Sequence, residues 1–318
     1  MSVFAPALPV PMESRLAIDA RASGLMTLLC LIWGLQQVAL KAFGGDISPL
    51  LQIGLRSGIA AALVALLMRW QREGFGWRQW RPGLLAAALF ATEYLLVGQA
   101  LRYTSASHTV VFLYTAPIFA ALGLHLRLPA ERLSRLQWAG VAMAFGGVAL
   151  AFLGPGAAAR GGTDASLAGD AMALGGGACW GATTVTIRLS SLSSSAPTTT
   201  LLWQLLGAFV LLVPASWLLG EFSIRPSAQA WLALGFQALV VSFASFLAWF
   251  WLLRHYLASR LGIFSFMTPI FGVIFGALLL HEPLSRRFLA GAALMFSGIV
   301  VVSLHRMLGG IGARLARG

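Results

Sequence analysis

LLCLIWGLQQVALK, residues 28–41, reads as an apolar helix until Gln36 and Gln37 interrupt it. GGGACWGATTVTIRLS, residues 175–190, repeats the arrangement, with Thr183 and Thr184 where the glutamines stood. The two tryptophans, Trp33 and Trp180, lie 147 residues apart, and each is followed by glycine. Polar side chains in such segments cannot face lipid without leaving hydrogen-bonding groups unpaired, so they must face other helices or a wet cavity. Neighbouring helical residues point about 100° apart, so one member of each pair is expected on the inner face. Helix-to-helix bridging and contact with a polar solute both fit.

The rest of the chain has the same character. Of 318 residues, 58% are apolar and 10% charged, with a mean hydropathy of +0.82; a soluble chain carries about 25% charged residues. Runs of about 20 apolar residues, the length that spans a bilayer as a helix, fall at 23–43, 50–69, 82–101, 105–125, 136–153, 169–188, 199–219, 229–252, 260–280 and 286–306. The alternating ten-residue pattern of barrel strands does not occur. The expectation is an all-α membrane protein of ten transmembrane helices. Residues 1–22 hold three prolines with Glu13, Arg15 and Asp19 and no apolar core, so they read as a tail rather than a signal peptide. Residues 307–318 form a second tail. Cys30 and Cys179 lie in apolar helices, which supports neither a disulfide framework nor a metal site.

The net charge of +12 is spread over short loops, so it reads as topogenic rather than as a nucleic-acid surface. With the N-terminus in the cytoplasm, fifteen basic residues fall inside and six (Lys41, Arg102, Arg160, Arg225, Arg286 and Arg287) outside, leaving Arg56 within the second span. This bias places both termini in the cytoplasm.

The second half of the chain echoes the first. LRYTSASHTVVFLYTAPIF (101–119) matches LRHYLASRLGIFSFMTPIF (253–271), pairing Pro117 with Pro269. AERLSRLQWAGVAMAFGG (130–147) matches HEPLSRRFLAGAALMFSG (281–298), pairing Glu131 with Glu282, Gly140 with Gly291 and Gly147 with Gly298. Each unit, 23–153 and 169–306, holds five spans, and 154–168 is an external linker. An odd number of spans forces the second copy to enter the bilayer from the opposite side. Such inverted repeats permit alternating access to a midplane site.

With these motifs in order, the chain resembles the drug/metabolite transporter superfamily, EamA type, over about residues 24–305. The resemblance implies ten helices and a central cavity lined by the first, third, fourth, sixth, eighth and ninth. It also implies export of amino acids or related metabolites, with import of a nucleoside, sugar or vitamin-like solute as the alternative. The fifth and tenth helices are implied to be peripheral and able to support a homodimer. The Gln-Gln pair departs from the family's usual small polar residue followed by an aromatic or asparagine.

Arg56 and Glu93 are ionisable groups well inside the second and third spans. Charges at such depth face a partner or an aqueous path. They are read either as an ion pair or as substrate and proton sites. Tyr94, Gln99, Tyr114, Gln204, Ser245 and Thr268 are candidate wall residues, with Trp180 in the repeat's core and His108 at the outer mouth. Pro117 and Pro269 each remove a helical hydrogen bond at equivalent places, which suggests paired gates. Glu131 and Glu282 precede the fifth and tenth helices, where a carboxylate favours the helix N-terminus. No nucleophile–base pair, HExxH or phosphate-binding loop occurs, so neither an enzyme nor a cofactor is expected. A pore built from rings of like groups is not suggested either. The expected partners are a small-molecule substrate, the lipid of a prokaryotic inner membrane, and protons as the candidate coupling ion. A non-transporting structural or sensory membrane protein is the alternative outside transport.

Overall fold

The computed structural model describes residues 19–129, 132–152, 164–225, 227–256, 261 and 264–315. Glu131, Arg160, Ser259 and most of the central linker lie outside the described residues. The chain is all-helical: α1 (Ala20–Ala42), α2 (Pro49–Trp70), α3 (Trp80–Tyr103), α4 (Ala106–Leu113), α5 (Ala116–Arg127) and α6 (Arg135–Phe152) form the first half. The second comprises α7 (Asp164–Leu189), α8 (Pro197–Leu218), α9 (Ala228–Gly235), a π-helical segment (Phe236–Ser245), α10 (Phe246–His255), α11 (Met267–Leu279) and α12 (Arg286–Leu315). Among the described residues six helical segments are long and apolar enough to cross a membrane: Ala20–Ala42, Pro49–Trp70, Trp77–Tyr103, Ala106–Arg127, Pro197–Leu218 and Ala228–Trp249. Large apolar side chains such as Leu66, Leu232 and Leu278 lie at least 65% exposed on the outer faces. In water so broad an apolar surface would aggregate; in lipid it is solvated.

Local chemistry sets the helix ends. Asp19 caps α1 through the Ala22 amide at 2.8 Å, and that hydrogen bond holds its carboxyl below the ordinary range. Ser48 caps α2, with proline at the first turn. Lys41 Nζ donates to the Leu101 and Thr104 carbonyls at 2.7 and 2.6 Å, placing a cation where the end of α3 is electronegative.

The two halves meet through glycines in a crossed pattern. A Cβ on Gly147 would lie 2.5 Å from the Gly291 carbonyl oxygen, and one on Gly140 would lie 2.8 Å from that of Gly298. Each glycine of α6 therefore touches not its own counterpart in α12 but the counterpart of the other. That is the contact rule of a two-fold axis, where i meets j′ and j meets i′. The same rule holds elsewhere. Gly34 of α1 abuts Thr268, Phe271 and Gly272, while Gly181 of α7 abuts Ala116, Phe119 and Ala120, the equivalents of those three residues under the Pro117/Pro269 offset. Small residues at such crossings let backbones approach in lipid, where packing rather than hydrophobic burial drives association. The α6–α12 crossing carries the largest apolar cluster, built around Val141, Ala144, Met295 and Ile299.

Two helices differ in detail from the expectation. The fourth span is not one helix bent at Pro117. It is broken after Leu113, and α5 restarts at Ala116 with proline in its first turn, where the missing N–H costs nothing. The ninth span breaks at the equivalent place: Phe266 is a turn, and α11 begins at Met267, with Pro269 just inside it. Glu282 does not cap α12. Its carboxylate accepts from the Ala106 and Ser107 amides at 2.7 and 2.9 Å and from the Ser107 hydroxyl at 2.6 Å, capping α4 of the other half. Those amides are the unpaired N–H groups of the first turn of α4, and Glu282 is the acid that reaches them. Glu282→Ala is expected to destabilise the protein by about 1–2 kcal/mol, the usual range for a lost N-cap, read as a lowered melting temperature in detergent. An unchanged value would show that the cap is redundant.

Candidate functional site

Four elements bring polar side chains to one buried point. α2 supplies Arg56 at 2% exposure and α3 supplies Glu93 and Tyr94 at 4% and 7%. α1 supplies Gln36, with the neighbouring Gln37 also buried, and the π segment supplies the fully buried Gln237. The Arg56 guanidinium donates through Nη1 to Gln237 Oε1 and lies over the Tyr94 ring, 4.9 Å from its centroid. Gln237 Nε2 in turn donates to the Gln36 carbonyl at 2.9 Å. Arg56 Nε has no acceptor among the described residues, and neither the Glu93 Oε2 nor the Gln37 Oε1 atom has a hydrogen bond.

Arg56 and Glu93 are within electrostatic reach of each other, yet they form no ion pair within 4 Å among the described residues; the arginine is held by neutral partners instead. A charge at this depth costs at least about 2.5–3.5 kcal/mol when merely inserted. The cation–π contact returns about 0.5–2 kcal/mol, so the neutral partners compensate in part. The arrangement keeps a cation and a carboxylate near one another and leaves hydrogen-bonding capacity on both.

Next to this point, Tyr114, at the break between α4 and α5, packs edge-on against Trp180 at 5.2 Å and lies beside Thr268. Thr268 is fully buried. Thr183 is buried and Thr184 exposed, each hydroxyl bonded back to its own helix. The threonine pair thus splits as helical geometry predicts, whereas both glutamines are buried. Ser245 accepts a hydrogen bond from Trp33 Nε1 at 2.8 Å. Under the Pro117/Pro269 offset Ser245 is the counterpart of Glu93, so the repeat's symmetry breaks where the charge sits.

Other expected residues lie elsewhere. Gln99 Nε2 donates to Glu221 Oε1 at 2.7 Å, and Glu221 also pairs with Arg102, about two turns along α3 from Glu93. His108 Nδ1 lies 2.9 Å from Asp170 Oδ2 with its ring stacked 4.0 Å from Phe288, and the Thr104 hydroxyl donates to the same carboxylate. His108 and Thr104 border a cavity of about 240 Å³ shared with Lys41 and Glu282. Gln204 is half-buried on α8. Sequence reasoning passed over Gln237, although a lone glutamine in the apolar run GFQALVV carries the same signal as Gln36. Asp170 and Glu221 sit near helix ends, where an acid is unremarkable until its partner is known.

No cluster of three or more metal-ligating side chains occurs among the described residues. The EamA-like transporter family profile matches the chain twice, over residues 21–153 and 167–304. The uncharacterized transporter YoaV of Bacillus subtilis (strain 168) is 28% identical over 289 residues, covering 85% of this chain and 92% of that protein. The uncharacterized inner membrane transporter YedA of Escherichia coli (strain K12) is 26% identical over 294 residues, covering 90% and 91%. A crystal structure superposes with a TM-score of 0.64 at 19% identity, over 91% of this chain and 99% of that one, and so shares the fold. Two profile matches that together span most of the chain, set on a multi-pass helical fold with a polar centre, make this protein a member of the EamA-like transporter family.

Proposed function

We propose that the protein is a secondary transporter in the inner membrane that exports amino acids or closely related metabolites by alternating access. The observation that carries this reading is the buried pair Arg56 and Glu93, a cation and an acid that form no ion pair among the described residues where α1, α2, α3 and the π segment converge. A zwitterion brings a carboxylate to the one and an ammonium to the other, and each then gains the charged partner it lacks.

In this reading ten spans form two inverted units with both termini in the cytoplasm. Support comes from the crossed glycine contacts and from the loops. Asp46, Arg102, Asp170, Glu221, Ser227 and Glu282, all expected outside, bond among themselves or to neighbours on that face. Tyr256 with Asp19 and Thr198 with Glu73, all expected inside, do the same. The relative named as an inner membrane transporter supports the location.

The test is counterflow in proteoliposomes preloaded with amino acids. Saturable exchange far below channel rates is expected, and single-channel conductance would overturn the reading. Labelling that found the Arg160 segment on the same side as both termini would overturn the topology.

A further inference from the structure

Resting on that transport reading, we infer that Arg56 and Gln237 form a clamp for a substrate carboxylate, with Gln237 filling the carboxylate's place until substrate arrives. Arg56 is a permanent cation, since guanidinium does not lose its proton in proteins. Its planar fork matches a carboxylate with two parallel hydrogen bonds. In this fold the fork meets one neutral amide oxygen, Gln237 Oε1, and the face of Tyr94, while Nε has no acceptor among the described residues.

An acid at position 237 would form a lasting ion pair and compete with any incoming anion. A glutamine satisfies one donor, adds no negative charge of its own, and yields to a stronger acceptor. Its own displacement is provided for. Gln237 lies near the start of the ten-residue π segment, and its Nε2 is anchored on the Gln36 carbonyl of α1. π turns are a rare local form that occurs often at functional sites. Release of the Gln237 oxygen from Arg56 leaves the amide attached to α1, so arrival of a carboxylate changes how α2 and the π segment are joined. The clamp therefore specifies the solute class: a small molecule with a free carboxylate, whatever its side chain.

The experiment is a thermal-shift series on the purified full chain in detergent, using the twenty protein amino acids, each paired with its own carboxamide. At least one amino acid is expected to raise the melting temperature while its carboxamide does not. In Arg56→Gln the affinity for that amino acid should fall about 10- to 100-fold, the effect of losing a charge-assisted hydrogen bond. Gln237→Glu separates recognition from packing. It should raise the melting temperature of the ligand-free protein, through the new ion pair, and abolish the amino-acid shift. Carboxamides as effective as acids, no response to any amino acid, or a Gln237→Glu protein that is less stable yet still binds would each overturn the clamp. Saturable counterflow of choline or thymidine without any carboxylate-dependent shift would overturn it while leaving the transport reading intact.

Discussion

Glu93→Gln is expected to abolish proton-linked exchange while leaving the protein folded and in the membrane. The two halves of that expectation have separate causes. Glu93 is 4% exposed, and its Oε2 atom makes no hydrogen bond among the described residues. Replacing the acid by an amide of the same shape thus removes little that holds α3 in place. It does remove the acid opposite Arg56, the one that the described residues place at the centre. If Glu93 receives the substrate ammonium, its loss removes one partner of a desolvated charge pair, a change that costs about 2–5 kcal/mol, or roughly 30-fold or more in apparent affinity. If Glu93 carries the proton, pH-dependent exchange disappears altogether. Uptake into proteoliposomes across a pH gradient, measured with the melting temperature of the same preparation, tests both. Unchanged pH-dependent exchange by a folded Glu93→Gln protein would remove Glu93 from the mechanism.

Gly147→Leu is expected to be the most damaging single change to the fold. The first atom of any side chain at Gly147 would lie 2.4 Å from the Met295 nitrogen and 2.5 Å from the Gly291 carbonyl oxygen. Both are backbone atoms of a helix, so they can retreat only if α6 and α12 separate. Overpacking of a tight core costs about 1–3 kcal/mol, and here relief comes at the expense of the apolar cluster around Val141 and Met295. The neighbouring Gly146 provides the control, since a Cβ there would meet only Leu294 Cδ2, at 3.9 Å. Gly146→Leu should give a near-normal yield of monodisperse protein, and Gly147→Leu a large loss with a melting temperature lower by several degrees. Equal behaviour of the two would mean that the crossed glycine contact does not hold the halves together.

Composition and the duplicated motifs were enough for the class of the fold, the repeat equivalence of Gly140 with Gly291 and Gly147 with Gly298, and the buried setting of Arg56, Glu93 and one member of the Gln36–Gln37 pair (that both glutamines are buried came from the packing). These properties are local or periodic: a helix of apolar residues must lie in lipid, and a charge within it must turn inward, whatever the helix touches. The partners of those side chains lie far along the chain, and nothing in the spacing of residues sets which of two inward-facing groups comes within 3 Å of the other. So Arg56 meets Gln237 rather than Glu93, and Glu282 caps α4 rather than the helix that follows it. Pro117 likewise starts a helix instead of bending one. Which groups were buried was decided residue by residue by the cost of exposing polarity to lipid. Which of them touch was decided only by the packing of two half-bundles, through glycine crossings that fix helix separation and through a π turn that directs Gln237 at Arg56.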